Sequence, residues 1–185
     1  MGTQSQEPSR LILTGFMGAG KSTVGAILAR DLGWQFLDLD DVIEASSGLT
    51  VPEIFRDHGE ANFRERERQA LQQLNCQDKL VLALGGGAIE SESTRALLFE
   101  TPGTCLIFLD APLPELLARC RVEEKVRPLL AAPDALEDRL HRRLPHYRNA
   151  HITVITTGLA PQQVADQVRA QLSDRKQEEM THGKP

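Results

Sequence analysis

Cysteine is scarce in this 185-residue chain, long apolar runs are missing, and there is no excess of positive charge. The three cysteines, Cys76, Cys105 and Cys120, are odd in number and widely spaced. That excludes a disulfide framework and a cysteine metal site, and it suggests a reducing compartment. Cys105 and Cys120 sit among apolar neighbours and read as core filler. No stretch approaches the roughly 20 apolar residues that span a bilayer. Residues 1–9 are polar and lack the apolar segment of a secretion signal. A cytoplasmic protein with no membrane partner is therefore expected. Lys and Arg number 21 against 26 Asp and Glu, a net charge of −5. This argues against broad nucleic-acid affinity and for a small substrate reached through a locally basic cleft. There is no internal repeat and no low-complexity tract. The N-K-x-D motif that a GTP-dependent switch needs is also absent.

What is present begins with a glycine loop. Gly15-Phe16-Met17-Gly18-Ala19-Gly20-Lys21-Ser22-Thr23 reads G-x-x-x-x-G-K-S and follows the apolar run Leu11-Ile12-Leu13. Glycines let the backbone curl so that N–H groups converge on phosphate oxygens. The lysine can reach the β- and γ-phosphates, and the serine hydroxyl can ligate Mg²⁺. Val24, Ile27, Leu28 and Leu32 repeat at helical spacing after the loop, and Gly33 supplies a C-cap. The helix that starts here adds the positive end of its dipole.

Short apolar runs then recur between helical patterns. Strands are expected at Leu11–Thr14, Gln35–Leu39, Leu80–Leu84, Cys105–Leu109 and His151–Ile155, and helices at Glu60–Leu74, Pro112–Cys120 and Pro161–Leu172. The alternation predicts an α/β fold, a parallel sheet covered on both faces, with ligands at the C-terminal ends of its strands. The length suits one domain, expected over residues 10–172. The segments 1–9 and 173–185, polar and without periodicity, are expected to be disordered.

Polar residues gather at the strand ends. In Leu37-Asp38-Leu39-Asp40-Asp41, strand alternation points Asp38 and Asp40 the same way, towards the glycine loop. One carboxylate can hold Mg²⁺ directly or through water, and another can accept a proton from an attacking hydroxyl. The competing role, capping the next helix, is assigned to Asp41 rather than to Asp38 or Asp40. Gly85-Gly86-Gly87 is either a plain turn or a place where a ligand meets bare backbone, and its position at a strand end favours the second. Arg64, Arg127 and Arg148 are candidates only as a group, because surface arginine is common. The polar, proline-containing stretch Glu123–Asp134 reads as a lid loop.

Taken together, the glycine loop, Asp38-Leu39-Asp40, Phe63-Arg64, Gly85-Gly86-Gly87, Arg127-Pro128-Leu129-Leu130 and Tyr147-Arg148 resemble the shikimate kinase family. The resemblance implies a P-loop kinase fold of three α/β/α layers. Its five-stranded parallel sheet has the order 2-3-1-4-5, with a shikimate-binding region near 40–70 and a lid near 121–134. It implies a monomer that transfers the ATP γ-phosphate to the 3-hydroxyl of shikimate, on the route to chorismate and aromatic amino acids. Gly18, Ala19, Gly20, Lys21, Ser22, Thr23 and Arg127 would then bind ATP. Asp40, Arg64, Gly85, Gly86, Gly87 and Arg148 would bind shikimate, with both arginines on its carboxylate. Ser22 and, through water, Asp38 would hold Mg²⁺, while Lys21, Asp40 and Arg127 would carry catalysis. The family often has an arginine where this chain has Cys120, flanked here by Arg119 and Arg121. Some members also carry a basic residue in the loop that reads Thr156-Thr157-Gly158-Leu159 here. A gluconate kinase-like enzyme of the same fold and a catalytically inactive shikimate-sensing module are the alternatives. The arginine pair with the triple glycine favours a cyclic carboxylic acid over gluconate, and intact Lys21, Asp38, Asp40 and Arg127 argue against an inactive module.

Overall fold

The protein is described by a computed structural model that covers residues 7–122 and 133–182. Its elements in chain order are β1 (Arg10–Thr14), α1 (Lys21–Leu32), β2 (Gln35–Asp38), α2 (Leu39–Ser47), α3 (Val51–Leu74), β3 (Leu80–Ala83), a single 3₁₀ turn (Ala88–Glu90), α4 (Glu92–Glu100), β4 (Thr104–Asp110), α5 (Leu113–Val122), α6 (Pro133–Tyr147), β5 (Ile152–Ile155) and α7 (Pro161–His182). All five strands are parallel, in the order β2-β3-β1-β4-β5.

The continuous apolar runs lie in the middle of that sheet. Every residue of β1 and β3 is buried, because helices cover both faces. β5, at an edge, alternates buried and exposed residues instead. The chain moves one way along the sheet from β1 to β2 and the opposite way in every later crossover. Right-handed connections therefore put α1 on one face and α2 to α6 on the other. After the last strand α7 returns to pack on α1. The reversal falls between β1 and β3, and such a switch point is where an open parallel sheet leaves a crevice. Leu13 pairs with Ala83, and Ala83 with Asp38, so β1, β3 and β2 end at about one level, while β4 runs on past Phe108, the partner of Thr14, to Asp110. The glycine loop and Gly85–Gly87 leave adjacent strands side by side.

Several expectations from the sequence are revised. β2 stops at Asp38 and α2 starts at Leu39, so Asp38 and Asp40 do not share a strand. The helix cap is Asp38, whose side chain accepts from the Asp40 N–H, whereas Asp41 lies within the first turn. The reason is geometric: a cap must sit just before the first helical residue. Helices α2, α4 and α6 and the first half of α3 were not foreseen. α3 contains a break at Gly59, whose φ of 78° and ψ of 171° are not helical. Order in the sheet begins before residue 10, since Ser9 exchanges backbone hydrogen bonds with Gly103 and Leu80. Instead of an irregular tail from residue 173, α7 runs on to His182. α5 ends at Val122 and α6 starts at Pro133. Most of the expected lid, Arg127 included, thus lies outside the described residues. No described helix is long and apolar enough to cross a membrane.

Candidate active site

One half of the crevice is the glycine loop. Gly18 and Gly20 have φ of 75° and 86°, values open to glycine and strained for other residues. Gly20 is the N-cap of α1, with no side-chain cap and no acidic residue in the first turn. The first N–H groups of α1 and the positive dipole end thus face the crevice, a ready anion cradle. The Lys21 ammonium arches back to donate to the carbonyls of Gly15 at 3.0 Å and Phe16 at 3.1 Å. The Ser22 hydroxyl donates to Asp38 Oδ2 at 2.6 Å, while Asp38 Oδ1 accepts from the Asp40 N–H at 3.1 Å. One carboxylate thereby ties the start of α1 to the start of α2. Ser22 and Asp38 present hard oxygen donors side by side, a set suited to a Mg²⁺ ion that keeps several of its waters.

The other half is built around Gly85–Gly87, where Gly85 and Gly87 leave space that a Cβ would take. None of the three has a positive φ. A Cβ on Gly85 would lie 2.8 Å from Asp40 Oδ1 and 3.0 Å from Glu67 Oε1. On Gly87 it would lie 2.9 Å from the Arg64 Cζ, and on Gly86 it would lie 3.4 Å from Arg143 Nη1. Four charged side chains from α2, α3 and α6 therefore close in on bare backbone. Arg64 donates to Glu67 Oε2 at 2.5 Å and to Glu60 Oε1 at 3.0 Å. Glu67 is 1% exposed, and its Oε1 has no hydrogen-bond partner among the described residues. Burial pushes its carboxyl up to about 7 against the pull of Arg64. Phe63, with Arg64 over its ring at 5.4 Å, meets the exposed Phe55 at a tilt of 38°, centroids 4.7 Å apart.

Arg148 is not part of this group. It is exposed, and its side chain makes no described contact. Arg143, which sequence reasoning missed, takes the inward place. It is 8% exposed, donates to Glu90 Oε1 at 2.5 Å and lies over the Phe16 ring at 5.8 Å. Neighbouring residues on a helix point about 100° apart, and α6 spends its inward direction on Tyr147. That side chain is fully buried, stacks on Phe108 at 5.1 Å and donates to the Gly86 carbonyl at 2.5 Å. Burial raises its phenol to about 12, so it stays a donor. The signal for Arg143 was available: Leu136, Leu140, Arg143 and Tyr147 repeat at i, i+4, i+7 and i+11, which sets an arginine in an apolar stripe.

Beyond the glycine loop, on the β4–β5 side, Arg119 joins three elements. Its Nη1 donates to Thr156 Oγ1 at 2.9 Å and reaches the Gly18 carbonyl at 3.5 Å. Its Nη2 donates to the Thr156 carbonyl at 2.9 Å and to Glu115 Oε1 at 2.5 Å. Cys120 is buried against the loop, its Sγ 2.9 Å from where a Gly18 Cβ would be. Chemically, an anion cradle with a lysine faces, across one crevice, two guanidinium groups and two carboxylates.

Known proteins share more with this chain than its fold. The family model for shikimate kinase matches residues 17–173. A shikimate kinase of Synechococcus sp. (strain RCC307) is 40% identical over 89% of this chain and 84% of its own length. The solved structure of a shikimate kinase from Acinetobacter baumannii in complex with shikimate has a TM-score of 0.85 and 39% identity, and the match covers 93% of this chain and 96% of that one. A gluconokinase from Sinorhizobium meliloti has a TM-score of 0.63 at 18% identity, over 96% of this chain and 98% of that one, and shares the fold alone.

Proposed function

The chain belongs to the shikimate kinase family, and from that premise we propose how its own residues bind ATP and shikimate and move the phosphoryl group. The reading is carried by one observation: Arg64 and Arg143 converge from two helices on the glycine triad, beside Asp40 and across from the phosphate cradle. Paired guanidinium forks suit a carboxylate, and a nearby carboxylate suits a hydroxyl. Arg64 and Arg143 take the shikimate carboxylate, with Arg143 replacing the Arg148 suggested by the sequence. Gly85, Gly86 and Gly87 supply backbone against which the ring lies, and Phe55 and Phe63 flank it.

Gly18, Ala19, Gly20, Ser22 and Thr23 hold the ATP phosphates through their N–H groups. Lys21 leaves the Gly15 and Phe16 carbonyls to follow the β- and γ-phosphates. Ser22 and Asp38 would hold Mg²⁺, which neutralises phosphate charge when bound. Asp40 orients the 3-hydroxyl and takes its proton as the new O–P bond forms. The bond between the γ-phosphorus and the β-bridging oxygen breaks, and ADP leaves. Arg127, expected from its sequence to neutralise the transferring group, is retained in that role. Catalysis of this type comes mainly from positioning and electrostatics. The net charge of −5 supports a reading without nucleic acid; a monomeric, cytoplasmic enzyme with ATP and shikimate as its partners is proposed with it.

The test is a coupled assay for ADP release with shikimate, gluconate and nucleoside monophosphates as acceptors. Turnover with shikimate alone is expected. Turnover only with gluconate or a nucleotide would reject the acceptor reading, and binding of shikimate without any turnover would favour a sensing module.

A further inference from the structure

We propose that Glu67 is a proton-binding positioning residue: an anionic acceptor docking on Arg64 causes Glu67 to take up one proton from solvent. The inference rests on Arg64 receiving the acceptor's carboxylate.

Arg64 already serves two carboxylates, and they differ in their access to water. Glu60 is 66% exposed and Glu67 only 1%. Water can therefore compensate Glu60 when Arg64 turns to a new partner, but it cannot compensate Glu67. The groups facing Glu67 come from three helices. Arg64, on its own helix, donates to Oε2 at 2.5 Å. Arg143, from α6, contributes positive charge, much of it drawn off by Glu90 at 2.5 Å. Asp40, from α2, adds a like charge: its Oδ1 and Glu67 Oε1 lie 2.8 Å and 3.0 Å from the same point beside Gly85. Oε1 itself has no hydrogen-bond partner among the described residues. A buried carboxylate with one close cation and one close anion is poised between its two forms, and burial has already raised it to about 7.

A second carboxylate arriving on Arg64 competes for that one close cation and adds another negative charge nearby. Both effects disfavour ionised Glu67. The balance is simple: one O–H bond forms on Glu67, the proton comes from the buffer, and no other bond changes. The bound pocket is then one charge less negative than the free pocket and ligand together. Acceptor affinity must weaken as pH rises above about 7, by about tenfold in all for a value that shifts up by about one unit on binding. The proton returns to solvent when the product leaves.

Calorimetry of shikimate binding to the full chain tests this at pH 7.5, in buffers of different ionisation enthalpy. The slope of observed heat against buffer enthalpy counts protons. About half a proton or more is expected to be taken up, given a group near 7 that shifts up by about one unit. Glu67→Gln, neutral and of the same shape, is expected to bind shikimate with a slope near zero and with affinity constant from pH 6.5 to 8.5. A purely structural role would change affinity by one factor at every pH and leave the proton count alone. Wild-type binding without proton uptake overturns the inference and leaves the acceptor reading standing. Uptake that persists in Glu67→Gln also overturns it. If shikimate does not bind at all, the acceptor reading and this inference fall together. The wild-type slope decides the matter even if the variant does not fold.

Discussion

The side chains that matter most here are held by what a neighbouring residue lacks. Arg64 occupies the space a Cβ on Gly87 would need, with Cζ 2.9 Å from it. Gly87→Ala should therefore displace Arg64 and raise the KM for shikimate by about tenfold, the equivalent of about 1.4 kcal/mol. The KM for ATP should stay as it is; steady-state kinetics with each substrate varied checks both. Arg143, within α6, and Arg148, just past its end, offer a sharper contrast. Arg143→Ala removes a buried cation from the glycine triad and leaves Glu90 without its partner. The buried pairing that Arg143 would lose with the acceptor carboxylate is worth about 2–5 kcal/mol, so kcat/KM for shikimate should fall by about 100-fold or more. Arg148→Ala, at an exposed position, should change it less than about twofold. The reverse result would restore Arg148 to the site.

At the scale of elements, α5 acts as a brace for the nucleotide side. Arg119 links it to the glycine loop at Gly18 and to the turn after β5 at Thr156. Glu115 completes the brace: although burial opposes its charge, hydrogen bonds from Thr157, the Gly158 N–H and Arg119 hold its carboxyl below the usual range. The acceptor groups lie on the other side of the glycine loop, towards β3 and β2, so among the described residues α5 flanks the side left for the base of a nucleotide. Arg119→Ala should loosen that side and raise the KM for ATP by about five- to tenfold, as expected from lost hydrogen bonds to a charged group. The KM for shikimate should be preserved, and Arg119→Lys should recover part of the loss. The glycine loop, Asp38, Asp40 and Arg64 were legible in the sequence because each sits in a short motif whose chemistry is local. α6 was not, because its pattern mixes arginines and histidines with apolar residues and includes Pro145. Its inward stripe, Leu136, Leu140, Arg143 and Tyr147, carries an arginine, so it reads as a core face only once it is seen to fill its groove.

For the molecule as a whole, one histidine helps close the end of the sheet away from the site. His151 Nδ1 accepts the Leu106 N–H at 2.8 Å, and its ring meets Phe99 edge-on at 5.4 Å. Burial, and then the charge of Arg175, lowers its pKa. The folded state consequently binds fewer protons than the unfolded chain below about pH 6.5, the ordinary histidine value. Its stabilising contribution is complete above that pH and is lost as pH falls through the depressed folded value. Denaturant midpoints measured from pH 8 to pH 5 should carry a decline from His151 below about 6.5, set against the rise that Glu67, raised to about 7, contributes over the same window. His151→Asn, which keeps an acceptor for Leu106 and cannot titrate, should flatten the decline. An unchanged decline in the variant would assign the effect elsewhere.

By itself the sequence determined the phosphate cradle, the alternation of strands and helices, the glycine triad and the family. These depend on backbone freedom and on hydrophobic period, which act over a few residues. Only the tertiary structure decided which arginine of α6 turns inward, that Asp38 rather than Asp41 caps α2, and that Glu67 is buried beside Asp40 with one oxygen unmatched among the described residues. Those outcomes depend on helix phase and on which side chains water can still reach, and both are settled when the helices close over the switch point between β1 and β3.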